Sequence, residues 1–237
     1  MQTDGNRSSG EGVSVLARWF LVWIAANIAA AVVLVGTGRS GRAAIDVPIW
    51  ATALDVLAMW IVMVFAASRL VPFEERSFIG GLPWWFRRKD VVLGIVLGVA
   101  SQLLLMNAVN WPLSRIFPDT FDFDSVSRRA ENLSSTAPGG WKIVLVLVVV
   151  VGAPLVEEFV YRGCLQTGLS RAWGDRTAWV VTAAIFATVH LSGVEWPGLF
   201  AFALVLGHLR RRTGRIGPSI ITHMAYNATG LALVVLT

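Results

Sequence analysis

The chain has 237 residues, 55% of them hydrophobic and 15% charged, with a formal net charge of +5, against roughly 45–50% and about 25% in soluble domains. That balance, with a mean hydropathy of +0.64, excludes a soluble or disordered chain. The single cysteine, Cys164, excludes an internal disulfide and a cysteine-based zinc cluster. The expected fold is therefore all-α, a polytopic transmembrane helix bundle.

Residues 1–14 are polar and rich in Gly and Ser up to Gly12, which predicts a disordered cytoplasmic tail. The apolar stretch after them is too long for the h-region of a cleaved signal peptide. A crossing helix takes about 20 mostly apolar residues. On that measure spans fall at 19–38, 48–70, 91–113, 142–156, 176–192, 195–209 and 216–237. The count is seven, or six if the short 195–209 stretch re-enters. Residues 15–140 thus hold the first three spans and an outer loop, and 141–237 hold a second helical unit. That loop, 115–140, interleaves Phe117, Phe121 and Phe123 with acids, a pattern suited to the outer interface. Nine of the eleven tryptophans lie at or just beyond span ends, where indole prefers the headgroup region.

Counted over alternate loops, thirteen Lys and Arg fall on the N-terminal side and six on the other, leaving Arg162 aside. The excess predicts a cytoplasmic N-terminus and an outer C-terminus in a plasma membrane. Inner-leaflet anchoring uses those cations, so the basic balance implies no nucleic acid.

Ionisable groups inside a bilayer are costly and point to function. Asp55 lies alone in the second span. Glu157, Glu158 and Arg162 end the fourth, His190 lies in the fifth, His208 near the end of the sixth, and His223 with Asn227 in the seventh. Glu158 and Arg162 are four apart and share a helix face, as do Phe186 and His190, and His223 and Asn227. Helices in lipid turn such faces inward, so one carboxylate, two imidazoles and an amide can meet in a cavity. Amide hydrolysis needs that inventory. A desolvated carboxylate serves as general base, and His and Asn hold a developing oxyanion. Alternatively, Glu157, His190 and His223 hold Zn²⁺ or another divalent metal that acidifies the water. Both routes, with and without a metal, stay open. Asp55 and His208 read as packing groups, and Cys164 as a small buried hydrophobe.

Glu157-Glu158-Phe159-Val160-Tyr161-Arg162 resembles the EExxxR motif of the CPBP family of intramembrane proteases, the CAAX prenyl-protease and bacteriocin-processing (Abi) proteins. Phe186-Ala187-Thr188-Val189-His190 resembles its FxxxH motif, and His223-Met224-Ala225-Tyr226-Asn227 its HxxxN motif. The resemblance implies an intramembrane endopeptidase acting on a membrane-associated protein or peptide. Glu157 would activate water, directly or on a metal, and His190 would position that water or bind the metal. His223 and Asn227 would stabilise the oxyanion, with Glu158 and Arg162 in support. Two other readings compete: a non-catalytic scaffold or bacteriocin-immunity protein of the same fold, and a proton-coupled carrier. The polar groups gather toward one side, which disfavours a through-path.

Overall fold

A computed structural model describes residues 2–41, 47–70, 87–122 and 140–236. Seven helices make up the described residues: α1 (Gln2–Gly36), α2 (Ile49–Leu70), α3 (Arg88–Ile116), α4 (Trp141–Trp173), α5 (Asp175–Val189), α6 (Trp196–Thr213) and α7 (Gly217–Leu236). Four long apolar stretches, Gly10–Gly36, Ile49–Arg69, Arg88–Ile116 and Trp141–Trp173, have the length and composition of membrane spans. Their outward faces agree: Leu21, Val32, Ile61, Phe65, Val92, Leu104 and Ile143 are all exposed, a surface that water would not tolerate and lipid does. The loop expected over 115–140 falls mostly outside the described residues, as do Trp84 and Trp85.

The N-terminal segment differs from expectation. Instead of a disordered tail to residue 14, α1 runs back to Gln2. Tertiary contact explains the ordered part: Gly12 lies so close to the Trp173 indole that a Cβ there would overlap it, and Val15 packs against Gly168.

The core is built around α4. Every residue from Glu158 to Gln166 is buried, and Phe159, Val160, Tyr161, Leu165 and Leu169 cluster with Trp19 and Ala26 of α1, Met63 and Ala67 of α2, Phe186 of α5 and Ile220 of α7. The helix is not uniform. Residues Leu147–Gly152 and Glu158–Leu165 are wound as π-helix. The first wide turn precedes Pro154, which has no N–H to donate. In π register the carbonyl of Val149 pairs with residue 154, so that carbonyl loses its partner. The side chain of Asn227 takes the place, donating from Nδ2 at 2.8 Å. Neighbouring side chains satisfy backbone freed by proline in this way inside membranes.

The α3–α7 contact rests on a small-residue stripe. Asp90, Gly94, Gly98 and Ser101 form the buried face of α3. A Cβ at Gly98 would fall 2.4 Å from the Thr222 carbonyl oxygen, and one at Gly94 would fall 2.7 Å from Ile221. Gly94 and Gly98 thus form a GxxxG step that lets two backbones touch. At the end of the same interface Asp90 accepts two hydrogen bonds from the Arg215 guanidinium, one of 3.0 Å. It also accepts from the Arg87 backbone N–H at 2.8 Å, closing the first turn of α3. The starts of α1, α3, α5 and α7 and the ends of α4 and α6 therefore meet at one end of the bundle.

Candidate active site

Glu157 and Glu158 lie in the middle of α4. The sequence ends the fourth span at residue 156, taking the acids for a boundary, yet the helix continues to Trp173. Sixteen residues on each side of Glu157 place it about 24 Å from either end at 1.5 Å per residue. Continuation is possible because the charges are neutralised inside the protein. Arg162 Nη1 donates to Glu158 Oε1 at 3.0 Å, and both side chains are fully buried. Arg162 Nη2 donates to the Ala203 carbonyl of α6 at 3.2 Å, and its guanidinium lies 4.6 Å from the Phe186 ring centre. One helical turn further, Gln166 Nε2 donates to the Gly207 carbonyl at 3.1 Å. The two donors are four residues apart, as are the two acceptors, so α4 and α6 are held in register.

His223 comes from α7. Its Nδ1 lies 2.9 Å from Glu158 Oε1, and a carboxylate oxygen can only accept there. Nδ1 therefore carries the hydrogen, and Nε2 is the nitrogen turned toward Glu157. That nitrogen stands 3.8 Å from Glu157 Oε2, beyond direct hydrogen bonding and a separation that a shared water can span. Glu157 keeps 23% of its side-chain surface, while His223 keeps 5% and Glu158 none. The two adjacent acids consequently differ: Glu158 is locked and Glu157 is reachable. Phe186 and Phe202 meet the His223 ring edge-on at centroid distances of 6.0 and 5.4 Å, and Phe202 stacks on Tyr226 at 3.9 Å. These contacts fix the plane of the imidazole.

His190 is placed differently from expectation. It caps the end of α5 rather than lying inside a span, and it is exposed. The chain turns at once through Leu191, a non-glycine residue at φ 53. His190 Nδ1 lies 2.7 Å from the Phe186 carbonyl, one of the carbonyls that a helix end leaves without a partner. Since a carbonyl only accepts, Nδ1 holds the hydrogen and Nε2 is left open. The Phe186 ring packs against both imidazoles, 4.8 Å from His190 and 6.0 Å from His223. Asn227 lies one turn beyond His223 and spends one N–H on the Val149 carbonyl, leaving its second N–H and its oxygen.

Glu157, Glu158, Arg162 and His223 are thus in direct contact or nearly so, with His190 joined through Phe186 and Asn227 through its helix. A metal does not fit this arrangement. Among the described residues no three His, Cys, Asp or Glu side chains gather into a group able to hold one. The expected trio of Glu157, His190 and His223 is not gathered into such a group among the described residues. Phe202 and Gln166 lie outside the three sequence motifs. Gln166 had a signal, since it continues the 158, 162 ladder by four; Phe202 had none, being one more aromatic on an apolar helix. Asp55 is half-buried, with one carboxylate oxygen that finds no partner among the described residues. His208 is exposed and packs on Trp179 at 5.9 Å, away from the site, and Cys164 is a buried free thiol.

No curated protein and no solved structure matches the chain. The four long apolar helices and the helical core fit an integral membrane protein. Residues 139–229, which contain all three motifs and every candidate site residue, match the model of the type II CAAX prenyl endopeptidase Rce1-like family, consistent with the CPBP resemblance and, at family level, with a peptidase.

Proposed function

We propose that the chain is an intramembrane endopeptidase that hydrolyses a peptide bond of a membrane-associated protein or peptide with a water activated by Glu157. The observation that carries the reading is the inequality of the two acids. Glu158 is fully buried and held through Oε1 by Arg162 and His223, its Oε2 finding no partner among the described residues, whereas Glu157 is the partly open one and stands 3.8 Å from His223 Nε2.

The substrate water bridges the two from the side, donating one hydrogen to His223 Nε2 and the other to the Glu157 carboxylate. Glu157 removes its proton as the oxygen attacks the scissile carbonyl carbon, then returns the proton to the departing amine. Glu158 fixes the tautomer and tilt of His223, the task of a positioning residue, and Arg162 holds Glu158 in place. The carbonyl oxygen becomes an oxyanion, and the second N–H of Asn227 is the available donor for it. His190, with Nδ1 engaged, offers Nε2 at the exposed rim, where it can orient the peptide. No step passes through a metal.

The test is cleavage of a membrane-anchored peptide by the protein in proteoliposomes. Glu157→Gln removes the base while keeping size and shape and should lower turnover by about 10²–10⁴-fold, with the helical signal and the unfolding midpoint unchanged. A variant that is folded and equally active would remove the reading. If the cellular phenotype survives the same substitution while no cleavage is measurable in either protein, the scaffold or immunity reading stands instead.

A further inference from the structure

Away from the acid pair, the ends of α4, α5 and α6 enclose a cleft of about 230 Å³ whose walls include Thr167, Ser170, Arg171, Asp175, Arg210 and Arg211. Three arginines meet a single aspartate there. The guanidiniums of the α6 pair are anchored, not loose. Arg210 Nη2 donates to Thr167 Oγ1 at 3.2 Å, and Arg211 lies 4.9 Å from the Trp179 ring centre. Yet the Nε–H of each is buried and finds no acceptor among the described residues. Burying a guanidinium N–H without an acceptor is costly, and the cleft lining sets three guanidiniums against one carboxylate. Asp175 is the carboxylate of this lining: it accepts from Ser170 Oγ, and its charge also acts on Arg210. The cleft also lies at the bundle end where Arg215 pairs with Asp90, the end with the greater number of basic residues and hence the one expected to face anionic lipid.

We propose that this cleft is a phosphate-binding site, and that the phosphate is the headgroup of an anionic phospholipid seated between α4 and α6. A tetrahedral oxyanion offers several acceptors to Arg210 and Arg211 at once. Basic pockets between helices at the cytoplasmic face take lipid phosphates by this chemistry. The Trp179 indole that flanks Arg211 donates to the Leu204 carbonyl at 2.8 Å, which fixes the ring on which Arg211 rests. Because α4 also carries Glu157 and Glu158, a bound headgroup would brace the register of α4 against α6.

The full chain in neutral detergent tests this by its thermal unfolding midpoint at constant ionic strength. The probes are dihexanoyl phosphatidic acid, dihexanoyl phosphatidylcholine and inorganic phosphate. A ligand that binds only the folded state raises the midpoint by mass action. The expected result is a saturable rise with phosphatidic acid and none with phosphatidylcholine, the apparent affinity falling about tenfold in Arg211→Gln and again in Arg210→Gln. Ser170→Asp adds a carboxylate to the cleft without removing any arginine and should give the same loss if an arginine variant fails to fold. A rise with inorganic phosphate equal to that with phosphatidic acid upholds the phosphate site and overturns the lipid source. Equal response to the two lipids, or a response untouched by all three substitutions, overturns the site.

Discussion

Arg162 offers the sharpest separation of folding from chemistry. Its side chain has no exposed surface and makes three contacts: 3.0 Å to Glu158, 3.2 Å to the Ala203 carbonyl and 4.6 Å to the Phe186 ring. Arg162→Met fills similar volume but strands the Glu158 carboxylate in the core with only the His223 N–H. Removing one partner of a buried pair costs about 3–5 kcal/mol. Glu158→Leu alone strands the guanidinium and should cost about as much. The double variant buries no charge, and apolar replacement of a whole buried pair is often neutral or better. Its cost should therefore fall well below the sum of the singles, with a coupling of about 2 kcal/mol or more. The assay is a double-mutant cycle of unfolding in mixed micelles, followed by helical circular dichroism. The double variant should also be inactive, because His223 Nδ1 loses the acceptor that sets its tautomer. A cost below about 1 kcal/mol for Arg162→Met, or strict additivity in the cycle, would refute the buried-pair account.

Gly98→Val should separate α3 from α7, since its Cβ would fall 2.4 Å from a backbone oxygen; a loss of about 1–3 kcal/mol should appear in the same unfolding assay. Gly163→Ala is the contrasting case, because its Cβ would meet Phe159 at an ordinary 3.7 Å, and it should be neutral or stabilising by up to about 1 kcal/mol. Asn227→Leu should remove both the donor to Val149 and the proposed oxyanion donor; peptide turnover should fall by about 10²–10³-fold, for a stability loss of about 1–3 kcal/mol measured on the same preparation. Treatment with a strong divalent chelator should leave cleavage intact, since no three His, Cys, Asp or Glu side chains gather into a metal-holding group among the described residues; activity lost on chelation and restored by zinc would contradict this.

Much of the molecule could be read from one dimension. Apolar runs of about 20 residues and their tryptophan borders define an all-α membrane bundle, because the bilayer forces every backbone group to pair within its own helix. The four-residue spacings of Glu158 with Arg162 and of His223 with Asn227 locate the site, because that spacing places residues on one helix face. Gly94 and Gly98 could have been read in the same way as a close helix contact. Other features depended on partners remote in sequence. That α4 continues through its own charges follows from Ala203 and His223 receiving them. That Asn227 serves a carbonyl follows from Pro154 leaving Val149 without a donor three helices away in sequence. That His190 stands at a rim follows from where α5 stops and the chain turns. Helical periodicity is a local property and so is written in the chain. Which of two neighbouring glutamates stays reachable is decided by burial, and burial exists only once α4, α5, α6 and α7 have packed.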